Sequence, residues 1–182
     1  ILDKILETKR REVSERQASN PWRALELSPL FGRSCIPLST YFSGEDQAGI
    51  IAEFKRKSPS KGAINTNADA AAITLAYVRA GAAAVSVLTD GPFFGGSNAD
   101  LIQVRKVIER PVLRKEFIID EYQVVEAKAI GADLILLIAA ALSPGEVKSL
   151  SDLAHALGME VLLELHDETE LRHITPDIAM IG

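Results

Sequence analysis

The chain has 182 residues, of which 47% are hydrophobic and 25% are charged. This composition excludes a disordered or fibrous protein, and the length suffices for one domain with a substantial core. The formal net charge of -5 argues against general nucleic-acid binding, which needs a basic surface.

The cysteine and histidine content gives no sign of a disulfide or a metal site. The single cysteine, Cys35, has no partner within the chain, and the three histidines lack the spacing of metal ligands. For each histidine the pattern favours a surface position over a catalytic one. No apolar run approaches the ~20 residues of a membrane-spanning helix, and the first residues do not have the order of a signal peptide. We therefore expect a cytoplasmic protein with no metal, membrane or nucleic-acid partner.

Helical patterns dominate the first part of the chain. Residues 1–17 place Ile1, Leu2, Ile5 and Leu6 on one side with charges elsewhere, which predicts an amphipathic helix. Shorter helices are predicted at 21–27 and 37–42. We expect residues 1–45 to form a helical extension and residues 46–182 to form the main structural unit.

From residue 50 onward, short apolar runs alternate with stretches of helical periodicity. The apolar runs lie at 50–54, 84–88, 111–115, 133–138, 160–165 and 177–182. The helical stretches lie at 69–80, 99–108, 121–130 and 144–157. Such alternation predicts repeated βα units around a parallel sheet.

The first of these strands leads directly into a charged segment. Glu53 and Lys55 alternate with Phe54, so both charged side chains should point to the same face. Pro59 and Gly62 prevent the strand from continuing. Ligands of parallel sheets and barrels bind at the carboxyl ends of the strands, so the cations clustered here indicate an anionic substrate. A solvated basic loop is the alternative, but a carboxylate such as Glu53 is costly to bury in an apolar strand unless it is paired or used.

Charged residues recur at the ends of later strands. Lys115 ends one apolar run and Glu164 ends another, and together with Glu53 and Lys55 they form a set suited to acid-base chemistry. Phe94 lies on a glycine-flanked loop after the second strand, where it could form an apolar wall for a ring. Core packing is an equal alternative for that side chain.

Five segments carry a resemblance to a known family. They are IIAEFKRKSPSKG, SVLTDGPFFGGS, VLRKEFIIDEYQ, ADLILLIAAAL and VLLELHDETEL. They resemble successive blocks of the indole-3-glycerol phosphate synthase family and occur in the family's order. The resemblance implies a (β/α)8 TIM barrel and a carboxy-lyase of tryptophan biosynthesis, with a phosphorylated small molecule as substrate and no cofactor. The implied reaction closes the indole ring of 1-(2-carboxyphenylamino)-1-deoxyribulose 5-phosphate with loss of CO2 and water.

The resemblance also implies a role for each site residue. Lys115 would be the general acid for the condensation and Glu164 the general base for dehydration. Lys55 would lie near the substrate's carboxylate and phosphate, and Glu53 would polarise its hydroxyls. The remaining implied contacts are Ser58 to the carboxylate, Phe94 and Phe117 along the anthranilate ring, and Ser86 and Leu136 at the floor of that pocket.

About six βα units can be recognised, whereas the resemblance implies eight. We therefore expect a barrel truncated after the sixth strand and lacking the phosphate-binding turns after strands seven and eight, and we expect such a truncated chain to lack activity. Open strand edges can pair with another chain, so a self-associating, non-catalytic partial-barrel binding module remains an alternative. Another phosphate-binding barrel enzyme, such as phosphoribosylanthranilate isomerase, is the alternative among enzymes.

Overall fold

The computed structural model describes residues 1–42 and 49–182. The chain begins with helix α1 (Leu2–Ser19) and the short helix α2 (Trp22–Glu26), followed by a 3-10 turn at Leu38–Tyr41. Helix α1 buries Ile5 and Leu6 of the predicted apolar side, together with Val13. Ile1, which was predicted on the same side, is 90% exposed at the start of the chain. The expected end of the extension, between residues 45 and 46, lies outside the described residues.

The alternation of strands and helices follows in the predicted order. The elements are β1 (Ile51–Phe54), β2 (Lys57–Ser58), β3 (Gly62–Ala63), α3 (Ala70–Arg79), β4 (Ala84–Leu88), α4 (Asn98–Val107), β5 (Val112–Lys115), α5 (Glu121–Ile130), β6 (Leu134–Ile138), α6 (Pro144–Ala156), β7 (Glu160–Glu164) and β8 (Met180–Ile181). Two further 3-10 turns lie at Ala139–Ala141 and Glu168–His173.

Six of the strands form one parallel sheet in the order β1-β4-β5-β6-β7-β8. Each strand of this sheet therefore pairs with the sheet strand that follows it in the sequence, without the reversal of order that marks doubly wound sheets. This succession, with helices between the strands, is the arrangement of a (β/α)8 barrel. The described residues form a curled six-stranded part of such a barrel, which confirms the predicted fold class.

The core lies on both faces of the sheet, as expected for parallel strands. Val85, Val87 and Leu137 pack towards the helices, in the same cluster as Leu101 and Val104 of α4. The alternate strand positions, including Ala84, Leu113 and Leu136, form a second cluster on the inner face. Side chains at the strand ends that continue this inner-facing alternation therefore point into the barrel interior.

Two details of the strands differ from the prediction. Strands β2 and β3 form a small antiparallel hairpin after β1, pairing Lys57 with Ala63 and Ser58 with Gly62, and nothing in the periodicity of this charged segment indicated it. Strand β8 is shorter than the predicted run at 177–182. The Ile178 amide donates to the Thr175 carbonyl at 3.1 Å, so a turn occupies the start of that run.

The predicted surface position is wrong for one histidine. His173 is only 3% exposed, and its two ring nitrogens lie 2.9 Å from the carbonyl oxygens of Glu170 and Leu142. Two backbone partners make burial of the imidazole possible. His155 and His166 are exposed. Within the described part of the chain, no helix combines the length and apolar character needed to cross a membrane.

Candidate active site

A cavity of about 200 Å³ lies at the carboxyl ends of the parallel strands. Its lining residues are Glu53, Lys55, Leu88, Phe94, Lys115, Glu116, Phe117, Leu136, Ile138 and Glu164. All four acids and bases singled out in the sequence are among them. A larger cleft of about 340 Å³ separates α1 from the loops after β5 and β6, but none of these four residues lines it. We therefore take the smaller cavity as the candidate active site.

Glu53 lies between two lysines in this cavity. Its Oε1 is 2.6 Å from the Lys55 Nζ, and its Oε2 is 3.0 Å from the Lys115 Nζ. Burial raises the pKa of Glu53, but the hydrogen bond from Lys55 and the charge of Lys115 outweigh burial and leave that pKa lowered. Glu53 is therefore an ionised carboxylate at neutral pH, with an ammonium group on each side.

The strand register explains why these charges meet. Glu53 is level with Ser86 of β4, which is level with Leu113 of β5. Lys115 lies two residues beyond Leu113 and so points to the same inner face. Glu164 ends β7, level with Ile138 of β6, and its Oε1 lies 3.5 Å from the His166 Nε2. Three strands thus deliver two lysines and two carboxylates to one space.

Two aromatic rings form a wall of the cavity. The Phe94 and Phe117 centroids are 6.0 Å apart, and the ring planes are tilted by 38°. The loop carrying Phe94 lies so close to the end of β4 that a Cβ on Gly96 would be 2.0 Å from the Leu88 carbonyl oxygen. Glycine is therefore required there. The partly exposed Phe94 faces the cavity, which favours the expected wall over simple core packing.

The expected floor of the pocket forms a second, adjoining cavity of about 180 Å³. Ser86 and Leu136 both line it, together with Glu53, Lys115 and Glu164, which line both cavities. Ser86 is 3% exposed, and its hydroxyl has no hydrogen-bond partner within the described residues. A substrate atom or a water molecule in this space could supply that partner.

Ser58 is not brought into the cavity lining. Its hydroxyl accepts a hydrogen bond from the Lys61 amide at 3.2 Å and lies 3.4 Å from the Ser60 Oγ. These contacts stabilise the β2–β3 hairpin. The expected contact of Ser58 with the substrate carboxylate therefore stays a prediction.

Behind the aromatic wall lies a group of buried ions that the sequence did not reveal. Lys9 of α1 is 0% exposed, and its Nζ lies 2.7 Å from Glu12, 3.0 Å from Asp90 and 2.9 Å from Glu116. The one signal in the sequence was the position of Lys9, four residues from both Ile5 and Val13 on the buried side of α1.

Lys9 belongs to a closed ring of side chains that are joined by ion pairs and hydrogen bonds. Its members are Lys9, Glu12, Arg16, Glu126, Arg114, Thr89 and Glu116, and we call it the ion ring. Arg114 is 0% exposed and lies 2.5 Å from Glu126. The pKa of Glu126 is raised by burial and lowered more strongly by Arg114 and Arg16, so the net direction is downward. The ion ring joins α1, α5 and the ends of β4 and β5.

None of these clusters resembles a metal site. Among residues 1–42 and 49–182, no three histidine, cysteine or carboxylate side chains are grouped so that they could hold a metal ion.

A barrel-type parallel sheet with acids and bases at the carboxyl ends of its strands defines the class of (β/α)8-barrel enzymes. Within that class, a family model described as indole-3-glycerol phosphate synthase matches residues 2–181. The chain belongs to the indole-3-glycerol phosphate synthase family. This result confirms the resemblance seen in the sequence and favours the synthase over the isomerase alternative.

Individual relatives agree with the family match. The chain is 46% identical over 186 residues to the indole-3-glycerol phosphate synthase of Bacteroides thetaiotaomicron, a comparison that covers 100% of this chain and 70% of that protein. It is 51% identical over 174 residues to the Neisseria gonorrhoeae enzyme of the same name, covering 94% of this chain and 67% of that protein. The Neisseria meningitidis serogroup B enzyme is 49% identical over 176 residues.

Proposed function

We propose that the cavity closes the indole ring of 1-(2-carboxyphenylamino)-1-deoxyribulose 5-phosphate, releasing CO2 and water to give indole-3-glycerol phosphate. The observation that carries this proposal is the Glu53 carboxylate held between the Lys55 and Lys115 ammonium groups, with Glu164 lining the same cavity. The reaction needs a proton donor and a proton acceptor at one substrate, and no electrons enter or leave. The proposal therefore requires no redox cofactor.

The proposed binding mode follows from the lining of the cavity. The anthranilate ring packs against Phe94 and Phe117, whose tilted rings offer an apolar surface. The floor of its pocket comprises Ser86 and Leu136. The Lys55 ammonium lies close to the substrate carboxylate and phosphate, where its charge offsets theirs. The Glu53 carboxylate accepts hydrogen bonds from the ribulose hydroxyls.

Ring closure is assigned to Lys115. The aromatic carbon that bears the carboxylate attacks the ribulose carbonyl carbon, and Lys115 donates a proton to the carbonyl oxygen as its negative charge develops. Loss of CO2 then restores the aromatic ring. The neighbouring Glu53 carboxylate, 3.0 Å from the Lys115 Nζ, holds this side chain in the cavity.

Dehydration is assigned to Glu164. The ring-closed intermediate carries a hydroxyl at the former carbonyl carbon. This group takes up a proton from a cavity lysine and leaves as water while a neighbouring proton is removed. Glu164 is the last residue of β7 and lines the same cavity as Lys115 of β5. It accepts that proton as the general base. The acid and the base thus come from different strands, which allows each to act on one side of the substrate.

Substitution of Lys115 tests this assignment, in a parent protein that carries the complete eight-stranded barrel. Lys115→Met keeps the length of the side chain and removes its charge and proton, so we expect turnover to fall by at least ~10²-fold. Indole formation is followed by fluorescence. The matched control is Lys106→Met, which changes an exposed lysine of α4 and should leave turnover unchanged. Turnover of Lys115→Met within a few-fold of the parent would move the acid role to Lys55.

A further inference from the structure

Lys9 of α1 contacts two carboxylates that lie just beyond neighbouring strands of the sheet. Its Nζ is 3.0 Å from the Asp90 Oδ2, just beyond β4, and 2.9 Å from the Glu116 Oε1, just beyond β5. All three side chains are 0% exposed. Burial lowers the pKa of Lys9, but the charge of Glu116, the hydrogen bond to Glu12 and the charge of Asp90 together outweigh burial and leave that pKa raised. Lys9 is therefore a buried cation.

The same two carboxylates hold the backbone of the aromatic wall. The Asp90 Oδ1 accepts hydrogen bonds from the amides of Phe93 and Phe94 at 2.7 and 3.1 Å. The Glu116 Oε1 accepts one from the amide of Phe117 at 2.9 Å. The second oxygen of Glu116 accepts the Thr89 hydroxyl at 2.8 Å, so the carboxylate cannot turn freely. Each aromatic residue of the wall is thus anchored by a carboxylate that is bound to Lys9.

We infer that Lys9 is a positioning residue for the substrate's aromatic ring, because its ammonium joins the two carboxylates that fix the backbone of Phe94 and Phe117. Lys9 does not line the cavity, so it acts only through these anchors. This role connects α1, far away in the sequence, to the pocket wall. The inference rests on the proposed function only in identifying which ring the wall binds.

A lysine is required because the two anchors carry the same charge. Without a cation between them, two buried carboxylates repel each other, and one would turn away from the other towards water. That movement weakens the hydrogen bonds to the amides of Phe94 and Phe117. The wall would then lose its fixed spacing while the cavity lysines and Glu164 kept their places.

We expect substitution of Lys9 to weaken substrate binding with little change in the rate of the chemical steps. The aromatic ring contacts the wall in the bound substrate and in the transition state alike, and loss of such uniform binding raises KM while kcat is kept. For Lys9→Met we expect KM to rise by about 10-fold and kcat to stay within about threefold of the parent.

The matched control removes a buried group from the same helix without touching the anchors. Val13 is 4% exposed and packs with Leu25, Tyr122 and Val125. Val13→Ala should lower the melting temperature while KM stays within about twofold of the parent. An equal rise in KM in Val13→Ala would show that Lys9 acts only by docking α1, and it would overturn the inference.

A double substitution separates positioning from general damage. If Lys9 acts through the wall, its effect on KM should shrink when the wall is already lost, so Lys9→Met in a Phe94→Ala background should change KM less than it does in the parent. Fully additive effects would contradict the inference. If Lys9→Met does not fold, Lys9→Gln, which keeps one donor, replaces it in the same cycle with the same two outcomes.

Two readouts do not depend on turnover. Amide hydrogen exchange at Phe94 and Phe117 should be faster in Lys9→Met than in Val13→Ala. The dissociation constant of the substrate with its carbonyl reduced to an alcohol should rise by about 10-fold in Lys9→Met. If the parent protein formed no indole product, the proposed function would fail, while these two measurements would still decide the role of Lys9. Unchanged exchange at both amides would refute it.

Discussion

Two groups of acids and bases lie side by side at the carboxyl end of β5, and they differ in how far their side chains are exposed to water. In the cavity, the side chains of Lys55, Lys115 and Glu53 are 36%, 32% and 28% exposed. In the ion ring, Arg114 and Glu126 are 0% and 5% exposed. Both groups contain ion pairs shorter than 3.1 Å, so the presence of a pair does not distinguish them.

The difference lies in what each charge can still reach. Arg114 donates to Thr89, Gln123, Asn98 and Glu126, so its donors are directed entirely to the protein. Lys115 has one protein carboxylate partner and faces an open cavity. A buried, saturated ion cannot exchange protons with a substrate, whereas a half-exposed ion can. The comparison assigns structure to the ion ring and chemistry to the cavity.

The largest effect on stability should come from Arg114. Arg114→Met removes one partner of a buried pair and leaves Glu126 less compensated, which should lower the free energy of unfolding by about 3–5 kcal/mol. Chemical denaturation measures this loss. Arg11→Met, at a position whose side chain is 73% exposed, is the control and should change stability by less than about 0.5 kcal/mol. A loss below about 1 kcal/mol for Arg114→Met would contradict the structural role of the ion ring.

Glu53→Gln should show the opposite balance. It keeps the shape of the side chain but removes the charge between the two lysines, so turnover should fall by about 10- to 100-fold. Because the side chain is 28% exposed, the free energy of unfolding should change by less than about 1 kcal/mol. Turnover and denaturation are measured on the same preparation. A strongly destabilised but active Glu53→Gln protein would reverse the assignment of the two groups.

Acid should weaken the ion ring through Glu126. The folded-state pKa of Glu126 lies below its ordinary value of 4.5, so its stabilising contribution is present above pH 4.5 and is lost as the pH falls through the lowered pKa. The free energy of unfolding should therefore decrease on acidification below pH 4.5. Glu126→Gln should make that decrease shallower. An identical slope in the parent and Glu126→Gln proteins would show that Glu126 does not contribute.

The smallest effect should come from the most exposed acid of the ion ring. Glu12 is 17% exposed and accepts from Lys9 at 2.7 Å and from Arg16 at 3.4 Å. Glu12→Gln keeps an acceptor for both donors, so we expect a loss of only about 1 kcal/mol in the free energy of unfolding. A loss as large as that of Arg114→Met would show that the contributions of ion-ring residues to the free energy of unfolding do not depend on their exposure.

The fold was largely predictable because its signals are local. The run at 84–88 and the helix at 121–130 match β4 and α5 residue for residue, since each is a continuous pattern bounded by turn residues or helix caps. The β2–β3 hairpin was not predictable, because four paired residues carry no periodicity. His173 was misplaced for a related reason: its burial depends on the Leu142 carbonyl, 31 residues away in sequence.

The cavity and the ion ring also differ in how far the sequence revealed them. Glu53, Lys115 and Glu164 lie at or near strand ends, and the geometry of a parallel sheet brings such positions together. Lys9 contacts Asp90, 81 residues away in sequence, and no local pattern pairs these two charges. A single charge inside an apolar pattern, as at Lys9 and Arg114, is the signal that would have indicated a buried network.

The most direct test measures CO2 release and indole formation together in single turnover, for the parent, Lys115→Met and Glu164→Gln proteins. If Lys115 drives ring closure and Glu164 drives the later dehydration, Lys115→Met should lose both signals. Glu164→Gln should keep CO2 release near the parental rate while indole formation slows by at least ~10²-fold. CO2 release that persists in Lys115→Met, or that disappears in Glu164→Gln, would contradict the assignment of acid and base in this cavity.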